Sequence, residues 1–218
     1  MMLNKPWRRW VAALLLMFFA GVAQAGSLAP YQVVERGVQA ITAAFEAESP
    51  YFETQPERLF EALNSAMEPY VDFRQISLRV MGGRYVQAAT PAQRDRFAEV
   101  FQDSLVRTFA RGLMTFDYRE FDLDITPRPP RYEDQDHVDV MVVGRDGQRY
   151  PVVFTLRQRD GEWKVINLIV NGVNLGLTLN SQFDRAMREQ RRNFDRVIAQ
   201  WSVEGVIEEL EEQIQQQP

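Results

Sequence analysis

The segment Trp163–Phe183, WKVINLIVNGVNLGLTLNSQF, constrains the fold of this chain most. It opens as a strand that is apolar on both faces. Simple alternation sends Trp163, Val165 and Ile169 one way and Ile166, Leu168 and Val170 the other. No charged residue intervenes between Lys164 and Asp184, and Gly172 and Gly176 punctuate the run. A short antiparallel sheet usually keeps one face wet. This strand needs cover on both. Either helices supply all of it, or a bound apolar ligand supplies part.

The strands before it form its neighbours. Asp136–Val143, Tyr150–Arg157 and Glu162–Asn171 read as strands joined at Asp146-Gly147 and Asp160-Gly161. Asp-Gly pairs suit type I′ hairpins, where both central residues take positive φ. Phe116–Thr126 alternates more weakly and adds a fourth strand. Val138, Val140 and Val142 share a face, as do Tyr150, Val152, Phe154 and Leu156; Met141, Val143 and Val153 put apolar surface on the other side. The two-sidedness is thus shared by the sheet centre.

Helices flank this meander. Ser27–Ala47 carries Val34, Val38, Ile41 and Phe45 at helical spacing, and Pro56–Met67 carries Leu59, Phe60 and Leu63. Pro69–Met81 reads as a third helix, stopped by Gly82-Gly83. Thr90-Pro91 opens the clearest one, a capping threonine with proline at the first helical position. Its stripe of Phe97, Phe101, Leu105, Phe109 and Leu113 is that of a core-facing helix, and a ligand wall would have the same pattern. Ser181–Trp201 reads as a final helix with Phe183, Met187, Phe194, Ile198 and Trp201 inward. The order predicts an α+β domain with a four-stranded antiparallel sheet over residues 26–203, followed by an acidic, Gln-rich tail at 204–218.

Residues 1–25 read as an export signal. Lys5, Arg8 and Arg9 make a positive start, Val11–Ala20 an apolar run too short to span a bilayer, and Ala23-Gln24-Ala25 a small-residue cleavage site. Losing those three cations would take the net charge from -5 to about -8. An acidic chain without a basic tract is a poor nucleic-acid binder and adsorbs weakly to anionic headgroups. The chain has no Cys, which removes disulfides, thiol catalysis and thiolate metal sites together.

No reactive constellation stands out. His137 is the one histidine, so a zinc site lacks ligands. The acidic runs Asp122-Leu123-Asp124 and Glu133–Asp136 lack the glycine and terminal glutamate of a calcium loop. Ser104 and Ser181 sit in no nucleophile-elbow motif, and Gly172 and Gly176 match no phosphate-binding loop. Neither a metal nor a cofactor is expected. Apolar surface with nothing reactive in it favours a carrier over an enzyme. The alternatives left open are a carrier of another apolar cargo and a carboxylate-based hydrolase or isomerase with a cone-shaped pocket.

Met81–Arg94, MGGRYVQAATPAQR, resembles the Gly-x-Tyr-aromatic…Thr-Pro-x-Gln-Arg signature of the MlaC / toluene-tolerance family of periplasmic phospholipid-binding proteins. The Phe-rich helix, the meander, and Trp163-Lys164-Val165 leading to Gly172-Val173 follow in the same order, from about Tyr31 to Trp201. Gly82 and Val86 depart from the family's usual apolar and aromatic residues. The resemblance implies helices packed on a sheet, with a deep apolar pocket for two acyl chains and the headgroup near solvent. It also implies a monomeric shuttle in the Gram-negative periplasm that maintains outer-membrane lipid asymmetry. Its partners would be an outer-membrane lipoprotein–porin complex and an inner-membrane ABC transporter with a lipid-binding ring subunit. Exposing two acyl chains of about 30 methylenes to water costs on the order of 24 kcal/mol, so a carrier must roughly match a bilayer.

The expected lining is Phe97, Phe101 and Leu105 on the long helix, Val140, Val142, Phe154 and Leu156 on the sheet, and Ile169, Val173 and Leu175 beyond it. Arg84 and Tyr85, after the double glycine, are expected at the pocket mouth.

Overall fold

A computed structural model describes residues 28–115, 118–127, 129 and 132–205. The expected export signal at 1–25 and most of the acidic tail lie outside the described residues. Helix α1 spans Pro30–Glu48, α2 Pro56–Met67, α3 Phe73–Ala88 and α4 Pro91–Thr115. A five-stranded antiparallel meander follows: β1 Phe121–Ile125, β2 Gln135–Gly144, β3 Arg149–Arg159, β4 Glu162–Val170 and β5 Val173–Asn174, in that spatial order. Helices α5, Leu175–Glu189, and α6, Phe194–Ala199, follow.

The sheet therefore has five strands, where the sequence pattern predicted four. The extra hairpin turns at Asn171-Gly172, with φ of 49° and 81°. Asn-Gly is the strongest type I′ signal there is, and it was legible in the chain. Asp160-Gly161 also has both φ positive, 52° and 84°, as a type I′ turn needs. Asp146-Gly147 does not: only Gly147 is left-handed, and its amide donates to the Gly144 carbonyl at 2.9 Å. That turn is a wider one, with a single glycine in the αL position.

A bulge in β4 corrects the simple alternation. Thr155 pairs with Asn167 and Leu156 with Val165, which leaves Ile166 as an extra residue. The bulge shifts the phase by one. Trp163, Val165, Leu168 and Val170 then join one cluster with Val138, Val140, Val152 and Leu156. Ile169, which pairs with Val153 and Asn174, lies on the opposite face.

Two helices also differ from expectation. Gly82-Gly83 kinks α3 instead of ending it. Gly82 leaves the helix at φ 74° and ψ 152°, and helical structure resumes to Ala88. The kink frees carbonyls that Asn180 of α5 recovers, its Nδ2 donating to Val80 at 2.9 Å and Arg79 at 3.4 Å. The final helix is two helices, broken over residues 190–193, where Arg191 and Arg192 hold φ of 52° and 61°.

The motif Thr90-Pro91-Ala92-Gln93-Arg94 is a helix corner. Thr90 Oγ1 accepts from the Gln93 amide at 3.2 Å and Gln93 Oε1 accepts from the Thr90 amide at 3.1 Å, a reciprocal capping box. Arg94 reaches back and donates to the Val86 and Ala89 carbonyls at the end of α3. One five-residue stretch thus ends one helix and starts the next.

Three apolar clusters result. The first joins α3, α4, α5 and α6 around Phe97, Phe101, Phe183 and Trp201. The second joins α1, α2 and α4 around Phe45, Leu59, Leu63 and Val106. The third sets Val33 and Val34 of α1 on the Val140 face of the sheet. Helix α1 thus spans two clusters, its first half on the sheet and its second half on helices.

Candidate functional site

Cross-strand pairing puts Ile125, Val140, Val152 and Val170 in one row of the first face, and Leu123, Val142 and Tyr150 in the next row toward the Asn171-Gly172 turn. Burial falls along that direction. Val138, Leu156 and Trp163, against the start of α1, are 2%, 0% and 6% exposed. Val142, Tyr150, Val170 and Val173 are only half-buried, and Leu123 is 43% exposed. Cover on the face is fullest at Val138, Leu156 and Trp163 and least at Leu123, with Phe154, Val165 and Leu168 half-buried between them.

Helix α4 shows the same change along its length. Phe97 and Phe101 are wholly buried, with the Phe97 ring 4.9 Å from Phe183 and 5.2 Å from Trp201. Past Leu105 the stripe loosens: Leu105, Phe109, Leu113 and Met114 are each half-buried. They pack with Ile41, Ala44 and Tyr118 at the margin of the second cluster. Side chains this large are normally buried outright in a close-packed interior.

The expected lining residues thus fall into separate groups. Phe97 and Phe101 are packed among helices, away from the sheet cluster. Leu105 bridges the two helical clusters. Val140, Val142, Phe154 and Leu156 share the first face, with Val140 and Leu156 tightly covered and Val142 and Phe154 half-covered. Val173 pairs with Val170 at that face's open end, Ile169 is on the other face, and Leu175 begins α5. Reading alternation without the bulge missed Leu168 and Val170, which belong with Phe154.

Arg84 and Tyr85 tie α3 to α5. The Tyr85 hydroxyl donates to Asp184 at 2.8 Å and Arg84 donates to the same oxygen at 2.7 Å. Arg188 also pairs with Asp184. These contacts, the Tyr85 hydrogen bond foremost, hold the Asp184 carboxyl below the usual carboxylate range. Gly176 shows a second close fit. A Cβ there would lie 2.5 Å from Asn167 Oδ1, which accepts from the Gly176 amide. Gly172 has open space around it and serves the turn.

Among the described residues no cluster of three His, Asp or Glu side chains is arranged to hold a metal. His137 Nδ1 lies 3.2 Å from Thr155 Oγ1 on the second face. A groove of about 230 Å³ at the β3–β4 turn is lined by Asp72, Arg157, Arg159, Asp160, Glu162 and Lys164. That charged lining is unsuited to hydrocarbon.

The described residues thus define a helix-backed antiparallel sheet, one apolar face of which is covered at one end and half-covered at the other. The same architecture recurs, at TM-score 0.66 and 20% identity, in a phospholipid-binding protein from Ralstonia solanacearum solved in complex with a phospholipid, covering 79% of this chain and 98% of that one. The MlaC protein family model matches residues 35–203, and the chain belongs to that family. It is 33% identical to the toluene tolerance protein ttg2D of Pseudomonas putida over 177 residues, 80% of each chain. It is 19% identical to the intermembrane phospholipid transport system binding protein MlaC of Haemophilus influenzae, over 78% of this chain and 80% of that one.

Proposed function

We propose that this chain is a soluble periplasmic carrier of phospholipid, with acyl chains seated against the open end of the first sheet face. The observation that carries this is the taper of burial from Leu156 and Val138 to Val142, Val170 and Leu123. The loosened half of α4 supplies a second row of half-covered apolar side chains. Family membership supplies the class of cargo. The proposed wall is Val142, Phe154, Leu168, Val170 and Val173 from the sheet, with Leu105, Phe109 and Leu113 from α4. Phe97, Phe101, Val140 and Leu156 then form the packed base. The charged headgroup stays in water, since burying it unpaired is costly.

The carrier reading entails export with cleavage after Ala25, and shuttling between an outer-membrane lipoprotein–porin complex and an inner-membrane ABC transporter. N-terminal sequencing of periplasmic protein should begin at Gly26. Protein purified without detergent should carry close to one phospholipid per chain, read by mass spectrometry of an organic extract. Lipid-free protein that also takes up none from vesicles overturns the reading. Val142→Glu and Phe154→Glu place a charge on half-covered positions, so each should keep its circular dichroism spectrum and lose most of its lipid.

A further inference from the structure

The corner between α5 and α6 concentrates positive charge on a chain whose net charge is -5. Arg185, Arg188, Arg191, Arg192 and Arg196 are all exposed there. The local acids are mostly engaged: Asp184 by Arg84 and Arg188, and Asp195 by Arg96 and Gln93. Among the described residues, Arg185, Arg191, Arg192 and Arg196 make no ion pair, and Glu189 is the remaining acid nearby. Arg191 and Arg192 also sit side by side in the left-handed region, which favours glycine. Two adjacent arginines held in strained backbone point to a use for their guanidinium groups.

From this juxtaposition of unpaired guanidinium groups we infer that the α5–α6 corner is a docking platform for an acidic surface on a partner protein. Guanidinium is weakly hydrated and pairs bidentately with carboxylates, so it suits protein carboxylates as well as phosphates. Membrane insertion is disfavoured by what surrounds the patch. Among the described residues the large exposed apolar ones are Tyr51, Leu123, Tyr132 and Leu177, none of them in 184–196, and membrane-surface helices need such residues beside their cations. Exposed charge pairing steers encounter and releases readily, as a transient contact requires. The inference holds whatever the cargo.

The probe is a 20-residue polyglutamate peptide, with binding to the full exported chain followed by fluorescence anisotropy. Affinity should fall at least tenfold between 20 and 200 mM NaCl. Arg191→Glu with Arg192→Glu should weaken binding at least tenfold, whereas Arg36→Glu with Arg149→Glu, of equal net charge, should change it less than threefold. Arg191→Gly with Arg192→Gly should lose binding equally while raising the melting temperature, because glycine accepts positive φ freely. That pairing of lost binding with gained stability separates docking from folding. Equal loss in both charge-reversal doubles, or full affinity in the glycine double, overturns the inference. So does flotation with vesicles of phosphatidylcholine and phosphatidylglycerol (7:3) through Arg191 and Arg192 while the peptide is ignored, which would assign the patch to lipid. Self-association lost in the charge-reversal double, with the peptide ignored, would assign it to a second copy.

Discussion

Gly82 and Asp184 show how single residues hold the helical half together. At Gly82, φ is +74° and a Cβ would come within 2.8 Å of the Asn180 amide nitrogen. Gly82→Ala therefore combines backbone strain with a clash at the group that recovers the freed carbonyls. We expect a loss of about 1–3 kcal/mol, seen as a lower urea midpoint. Gly83 has open space around it, so Gly83→Ala should be neutral or slightly stabilising, because alanine favours a helix. Asp184 gives a pH signature. Its carboxyl is held low by Tyr85, Arg188 and Arg84, so its contribution is complete above the unfolded aspartate value of about 3.9. It is lost as pH falls through the lower folded value. The urea-midpoint gap between wild type and Asp184→Asn should be full at pH 7 and close below about pH 4.

At the scale of elements, the β4 bulge decides which side chains face the helices. Deleting Ile166 would remove the extra residue and leave Trp163, Val165, Leu168 and Val170 on one face by plain alternation, at the cost of a buried side chain. We expect that deletion to keep cooperative thermal unfolding but lower the melting temperature through the lost Ile166 side chain, whereas Ile166→Val should cost only about 0.5–1.5 kcal/mol. The bulge also marks what was legible beforehand. Thr90, Pro91 and the Phe stripe announced α4 because capping and 3.6-residue periodicity are local properties. Asp160-Gly161 announced its turn for the same reason. The Asn171-Gly172 turn was equally local and was absorbed into a run of apolar residues. Ile166 is different. A bulge is decided by pairing with β3, so nothing in WKVINLIV alone marks it. The same holds for the lining: periodicity finds the apolar residues, but their partition among three clusters depends on how α1 crosses from sheet to helices.

For the whole molecule, the half-covered rows on the sheet and on α4 predict a folded state whose stability depends on its cargo. A ligand that binds only the native state adds RT ln(1 + [L]/Kd) to its stability. Organic extraction followed by refolding should lower the melting temperature and increase binding of a hydrophobic dye, and adding phospholipid vesicles should reverse both. A carrier built as a fully packed core would show neither change. The closed end of the sheet face has a further effect on such a cargo. Leu156, Val138 and Trp163 cluster with Val33 and Val34 with almost no surface left exposed, so on the proposed seating a chain entering from the open end would meet a floor. Methylenes beyond that depth remain outside, each forfeiting about 0.8 kcal/mol of burial. On the proposed seating the taper would work as a ruler, favouring tails up to the length of the half-covered face and giving no reward for longer ones.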